Sequence, residues 1–139
     1  MIAISIIAIL SVTAYSVYST TQRNGRDSKR MLEVNSIVKA LEIKRTNSGY
    51  QPLVTSDFEK NLFPGDSSTN AIDPVGYPYC ITTDSNVGDP DVSEWSKTAC
   101  PTGYEKVSST TPTDGSTYFK ACALLENSNT KIHCKRSLR

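Results

Sequence analysis

Met1-Ile2-Ala3-Ile4-Ser5-Ile6-Ile7-Ala8-Ile9-Leu10-Ser11-Val12-Thr13-Ala14-Tyr15-Ser16-Val17-Tyr18 is apolar on every face of a helix, with small hydroxyls and two tyrosines between the aliphatic side chains. About 20 such residues match the roughly 30 Å hydrocarbon core of a bilayer. The hydroxyls can bond back to carbonyls of their own helix, so they do not bar insertion. A cleaved secretory signal would carry basic residues ahead of the run and an Ala-x-Ala-like site behind it. Here the order is reversed: the first charge is Arg23, which opens a cluster with Arg26, Asp27, Lys29 and Arg30. A plain membrane anchor would hold that cluster on the cytoplasmic side.

The run does not end at a linker. No proline precedes Pro52, and Gly25 is the only glycine before Gly49. Past the basic cluster the pattern turns amphipathic: Val34, Ile37, Val38 and Leu41 recur at i, i+3, i+4 and i+7, with Met31 one turn earlier. These four are the predicted helix-to-head packing residues. Glu33, Asn35, Ser36, Lys39, Glu42 and Lys44 are assigned to the opposite, polar face, and Lys29 and Glu33 are spaced for an i, i+4 pair. Asn47-Ser48-Gly49 reads as a helix stop with Gly49 in the left-handed cap position. One helix is therefore expected from the N-terminus to about Thr46, ~70 Å long.

All four cysteines, Cys80, Cys100, Cys122 and Cys134, lie in the C-terminal part, and none forms a Cys-x-x-Cys pair. That spacing suits zinc or thioredoxin-type chemistry poorly and reads as two disulfides in a small domain that needs staples. Disulfides place the domain outside the cytoplasm. The charges behind the apolar run must then be translocated against the usual bias, which a dedicated export and assembly route would explain. Within the domain, residues 77–83, 117–126 and 130–136 read as strands. Phe119, Ala121, Ala123 and Leu125 lie on one face of the clearest one, and Tyr118, Lys120, Cys122 and Leu124 on the other. Leu53, Val54, Phe58, Leu62 and Phe63 are anchors of the connecting segment, with a helical turn at 57–62, and Asp73-Pro74 marks a turn. A hairpin centred on Ser128 would set Cys122 opposite Cys134 and leave Cys80 with Cys100, although four cysteines allow three pairings.

The fold class is thus α+β: a long helix, apolar in its first half and amphipathic in its second, on a small antiparallel head with two disulfides. Residues 1–27 form the membrane or filament-core helix, and 28–139 the head with the amphipathic half. These features together resemble type IV pilins and the related type II secretion pseudopilins. Residues 2–18 look like the hydrophobic segment of mature pilins. Arg26-Asp27-Ser28-Lys29-Arg30 followed by Ile37-Val38-Lys39-Ala40-Leu41-Glu42 looks like the helix continuation, and Gly49-Tyr50-Gln51-Pro52 resembles the helix exit. Asp73-Pro74-Val75-Gly76-Tyr77-Pro78-Tyr79 is similar to the Asp-Pro-Trp-Gly-x-Pro-Tyr stretch of major pseudopilins. A Cys122–Cys134 bridge would match the C-terminal disulfide loop of many pilins.

The resemblance implies a structural subunit, stored in the inner membrane and then polymerised into an extracellular filament. Ile2, Ile4, Ile6, Ile7, Ile9, Leu10, Val12 and Val17 would line the filament core. The implied partners are copies of the chain itself, an inner-membrane assembly machinery, and a host or neighbouring cell surface; the implied tasks are adhesion, twitching motility or DNA uptake. Three departures stand out. The leader, cleavage glycine and N-terminal glutamate of pilins are not within residues 1–139. Ala8 and Ser16 stand where many relatives have glycine and a helix-kinking proline. Val75 replaces the pseudopilin tryptophan, which favours a pilus subunit over a type II secretion pseudopilin. A membrane-anchored extracellular binding module is the reading from another class.

Sharper chemistry is weakly signalled. No cofactor is expected and no enzyme, for want of a paired acid/base or nucleophile constellation. The single histidine, His133, adjoins Cys134, but neighbours in a strand point to opposite faces, so a surface histidine beside a disulfide is the simpler reading. Asp84, Asp89, Asp91 and Glu94 crowd one loop without the EF-hand spacing, and so read as a solvated acidic loop. Trp95 reads as a packing anchor. Lys131, Lys135, Arg136 and Arg139 form a basic end that could touch DNA phosphates. With a net charge of +1, nothing in the bulk field selects nucleic acid. Residues 108–113 could carry O-linked sugar.

Overall fold

In a computed structural model, residues 2–54, 56, 71–127 and 131–138 are described, with side chains from Val17 onward. The expected anchors Phe58, Leu62 and Phe63 and the turn at 57–62 lie outside the described residues.

Helix α1, Ile2–Ile43, is one unbroken element of 42 residues, which makes it ~63 Å long. Nothing in its sequence interrupts it: proline is absent, and Gly25 faces open space. Its surroundings change abruptly. Residues 17–25 are exposed, whereas from Asp27 onward a stripe at 27, 30, 33, 34, 37, 38 and 41 is buried. That spacing is the face of a helix laid on a sheet. Val34, Ile37 and Leu41 are fully buried and Val38 nearly so, in one core with Tyr50, Leu53, Tyr79, Ile81, Val107, Phe119, Ala121 and Ala123. Each such aliphatic side chain contributes about 1.5–3 kcal/mol on leaving water. Among the described residues no helix is long and apolar enough to cross a membrane; the side chains of the apolar run at 2–16 lie outside them.

The helix stops three residues short of the expected Thr46. Its last turn closes with Lys44 N–H donating to the Ala40 carbonyl at 3.2 Å. The chain then folds back at once, β1 (Arg45–Thr46) pairing antiparallel with β2 (Gly49–Tyr50). The Thr46 hydroxyl pins this hairpin, donating to the Gly49 carbonyl and accepting from Ser48 N–H. Gly49 is therefore no helix cap. At φ +125° a side chain there would put its Cβ 2.5 Å from the Gly115 carbonyl carbon and oxygen. Glycine is needed because β2 runs against the loop at 115–116, where Tyr50 and Ser116 bond through their backbones at 2.8 Å.

The head is a four-stranded antiparallel sheet in the order β4-β3-β5-β6, from β3 (Cys80–Thr82), β4 (Glu105–Lys106), β5 (Lys120–Leu124) and β6 (Ile132–Arg136). The strands are shorter than the sequence pattern suggests. In the described stretch just before Cys80, residues 71–79 make an isolated bridge between Ile72 and Pro78 in place of a strand; a proline has no N–H to continue the ladder. Phe119, Ala121 and Ala123 face the helix core. On the opposite face Cys122 joins a second cluster with Cys80, Trp95 and Tyr104. Two disulfides close the head, Cys80–Cys100 and Cys122–Cys134; Cys122 and Cys134 are direct register partners across β5 and β6.

Candidate functional site

The buried stripe of α1 does not begin with an apolar residue. One turn ahead of Val34 it carries Arg30, whose side chain is 1% exposed. Its guanidinium fork is spent on three carboxylates. Nε donates to Asp73 Oδ2 at 2.6 Å, Nη1 to Asp27 Oδ1 at 2.7 Å, and Nη2 to Glu126 Oε1 at 2.7 Å. The carboxylates come from the helix itself, the turn before β3, and the end of β5, so one side chain ties three parts of the fold together.

Each carboxylate is held from a second side. Asp27 accepts from the backbone N–H groups of Glu126 and Asn127, both at 2.8 Å. Asp73 Oδ1 accepts from Val75 N–H and Tyr77 N–H at 2.8 Å, shaping the turn that Asp73-Pro74 was expected to make. Glu126 also accepts Nε and Nη2 of Arg26, at 2.8 and 2.5 Å. Asn24 and Asn127 add a side-chain bond at the rim, so the helix touches the head from Asn24 onward. The Arg26 hydrogen bond pulls the Glu126 carboxyl down to about 2, burial opposing it and Arg30 reinforcing it. Burial works against the charge on Arg30, but the surrounding acids outweigh it and raise its pKa.

A fourth acid completes the junction. Glu33, assigned to the polar face, is instead buried. It accepts a bond from the Tyr79 hydroxyl and pairs with Lys29 at 3.6 Å. Burial first, and then the bond to Glu33, push the Tyr79 phenol well above its usual range. The stripe of Val34, Ile37, Val38 and Leu41, run backwards at helical spacing, lands on Asp27 and Arg30. That continuation of an apolar stripe into charged residues was the signal for the junction in the sequence; read as a basic cluster, it hid the pairing. The tool set at this junction is structural: it fixes the rotation and register of the helix on the sheet with directional, charge-assisted bonds.

Elsewhere, the structure does not bring the remaining candidates into one site. Cys134 is bonded to Cys122, while His133, half-buried, has its Nε2 enclosed without a hydrogen-bond partner among the described residues. Burial, with Lys135 nearby, lowers the His133 pKa. The acidic loop spends its oxygens on its own turns: Asp84 on Asn86 N–H, Asp91 on Ser93, and Glu94 on Thr102 N–H. Asp89 pairs with Lys120 at 3.3 Å. Among the described residues no group of three or more His, Cys, Asp or Glu side chains could hold a metal ion. Trp95 is buried, its indole N–H donating to the Pro78 carbonyl. Lys135 and Arg136 sit on β6, and Arg139 lies outside the described residues. Of the filament-core candidates, Ile2, Ile4, Ile6, Ile7, Ile9, Leu10 and Val12 lie in α1 with side chains outside the described set, and Val17 is 65% exposed. No protein-family model, curated protein or solved structure matches this chain.

Proposed function

We propose that the chain is a structural subunit of a type IV pilus-like extracellular filament, held in the inner membrane before assembly and polymerising through its N-terminal helix. One observation carries the reading: α1 continues unbroken from the head contacts, which begin at Asn24, into an exposed segment at 17–23. A simple anchor has no need of a rigid helical connection between its apolar segment and its domain. A filament subunit does, because the apolar half must leave lipid and pack among its copies while the head stays in fixed orientation. Lipid is already apolar, so that step gains packing rather than hydrophobic transfer, and an assembly machinery must supply the extraction work. Ala3, Ser5, Ala8 and Ser11 are small enough for close helix approach. The Arg30 junction suits this role, since a pull on the helix is passed to the turn before β3 and the end of β5 together.

Shear fractionation of cells followed by negative-stain microscopy tests the proposal. The protein is expected in sedimentable filaments, and Ile7→Asp is expected to abolish them while the head stays folded, since a carboxylate in a helical core has no partner. Retention of the parent chain wholly in detergent-soluble membrane, or filaments built from Ile7→Asp, would overturn it.

A further inference from the structure

Cys80, Cys122 and Cys134 stand in one row across three adjacent strands: Cys80 is the register partner of Cys122, which is the register partner of Cys134. Residues directly opposite in antiparallel strands share a face, and a central-strand residue stands close to one neighbour and wider from the other, about 4.5 and 5.5 Å at Cα. The Cα atoms of Cys122 and Cys134 are 4.1 Å apart, so Cys80 takes the wider spacing, which a disulfide also spans. The row therefore offers Cys122 two partners of suitable geometry. The native bridges use only one of them, and Cys80 is bonded sideways to Cys100 on the loop after Trp95. Exposure is asymmetric as well. Cys80 and Cys122 are fully buried in the cluster with Trp95 and Tyr104, while Cys100 and Cys134 are partly exposed. Cys134 also lines an open groove between β6 and the loop at 85–92.

We infer that the two disulfides form an exchange relay that takes up an external thiol at Cys134 and presents a new free thiol at Cys100. The thiolate of a low-molecular-weight thiol, or of a protein cysteine, attacks Cys134 Sγ. A mixed disulfide forms there and Cys122 leaves as a thiolate. That thiolate is stranded among apolar and aromatic side chains, where its charge is costly. The neighbouring sulfur is Cys80. Cys122 attacks Cys80 Sγ, the Cys80–Cys122 bond forms, and Cys100 leaves as a thiolate that takes a proton from water at the surface. Two disulfides enter the sequence and two leave it, so no further oxidant or reductant is required. The buried charge is exchanged for an accessible one, which supplies the direction. The new bridge staples β3 to β5 and frees edge strand β6 from its covalent tie. The relay needs only the folded head and is independent of polymerisation.

The test uses the full chain with reduced glutathione at mildly alkaline pH, an acid quench, N-ethylmaleimide labelling of free thiols, and non-reducing tryptic mapping. Lys97, Lys106, Lys120, Lys131 and Lys135 separate the four cysteines into different peptides. The expected products are glutathione on Cys134, label on Cys100, and a linked Cys80–Cys122 peptide pair. Label on Cys122 with Cys80–Cys100 intact overturns the relay, as does a chain that takes up no glutathione. Cys134→Ala gives a second readout without any added thiol. Label on Cys100 with Cys80 joined to Cys122 supports the exchange, and label on Cys122 alone refutes it.

Discussion

Arg30→Met removes the guanidinium while keeping an unbranched side chain in the same buried slot. Three acids then lose their shared cation. Two of them, Asp27 and Asp73, have side chains only 7% and 3% exposed. Taking one partner from a buried ion pair costs about 3–5 kcal/mol. Four backbone N–H groups still point at these two carboxylates, and Glu126 keeps Arg26. The loss therefore falls at the low end, about 3 kcal/mol. For a domain of this size class that is a fall in melting temperature of about 10–20 °C. The measurement is urea unfolding of residues 17–139, followed by the fluorescence of Trp95, the single tryptophan. A companion variant separates a stranded charge from a lost contact. Asp73→Asn keeps an oxygen for Val75 and Tyr77 N–H, so adding it to Arg30→Met should restore about 1–2 kcal/mol. An Arg30→Met head within about 0.5 kcal/mol of the parent, or no recovery in the double variant, would refute the reasoning.

Three further outcomes follow from the same geometry. A chain starting at Ser28 lacks Asp27 and Arg26, so its head should unfold about 2–3 kcal/mol more easily than one starting at Arg23; equal urea midpoints would show that the helix holds the head by its apolar stripe alone. Glu126 has its folded pKa lowered from 4.5 to about 2, so the unfolded chain takes up its proton first as the solution is acidified. Its contribution is complete above pH 4.5 and drains away toward pH 2. Solvent reaches Glu126 on one side, which leaves about 1–2 kcal/mol for the effect. A pH series of unfolding curves checks this, with Arg26→Gln expected to flatten the slope. Gly49→Ala should destabilise the head by about 2 kcal/mol or more, because both the positive φ and the Gly115 carbonyl oppose a Cβ; an unchanged midpoint would mean that β2 can move off the loop.

The sequence by itself determined the long helix, its amphipathic half and the disulfide-closed head. Those features are periodic or compositional: Val34, Ile37, Val38 and Leu41 show their common face by spacing alone, and Cys122 and Cys134 flank one turn symmetrically. The boundaries were less legible. Gly49 looked like a helix cap because a glycine after Asn47-Ser48 fits one, whereas it serves a close approach to Gly115, 66 residues further along. The partners at the junction were decided only by the tertiary structure. Arg30 meets Asp73 and Glu126 across separations of 43 and 96 residues, and Glu33 meets Tyr79 across 46. A charge carries no period, and its default place is the solvent. Only the folded chain, by bringing carboxylates of matching number and direction to one buried guanidinium, makes the interior the place where it resides.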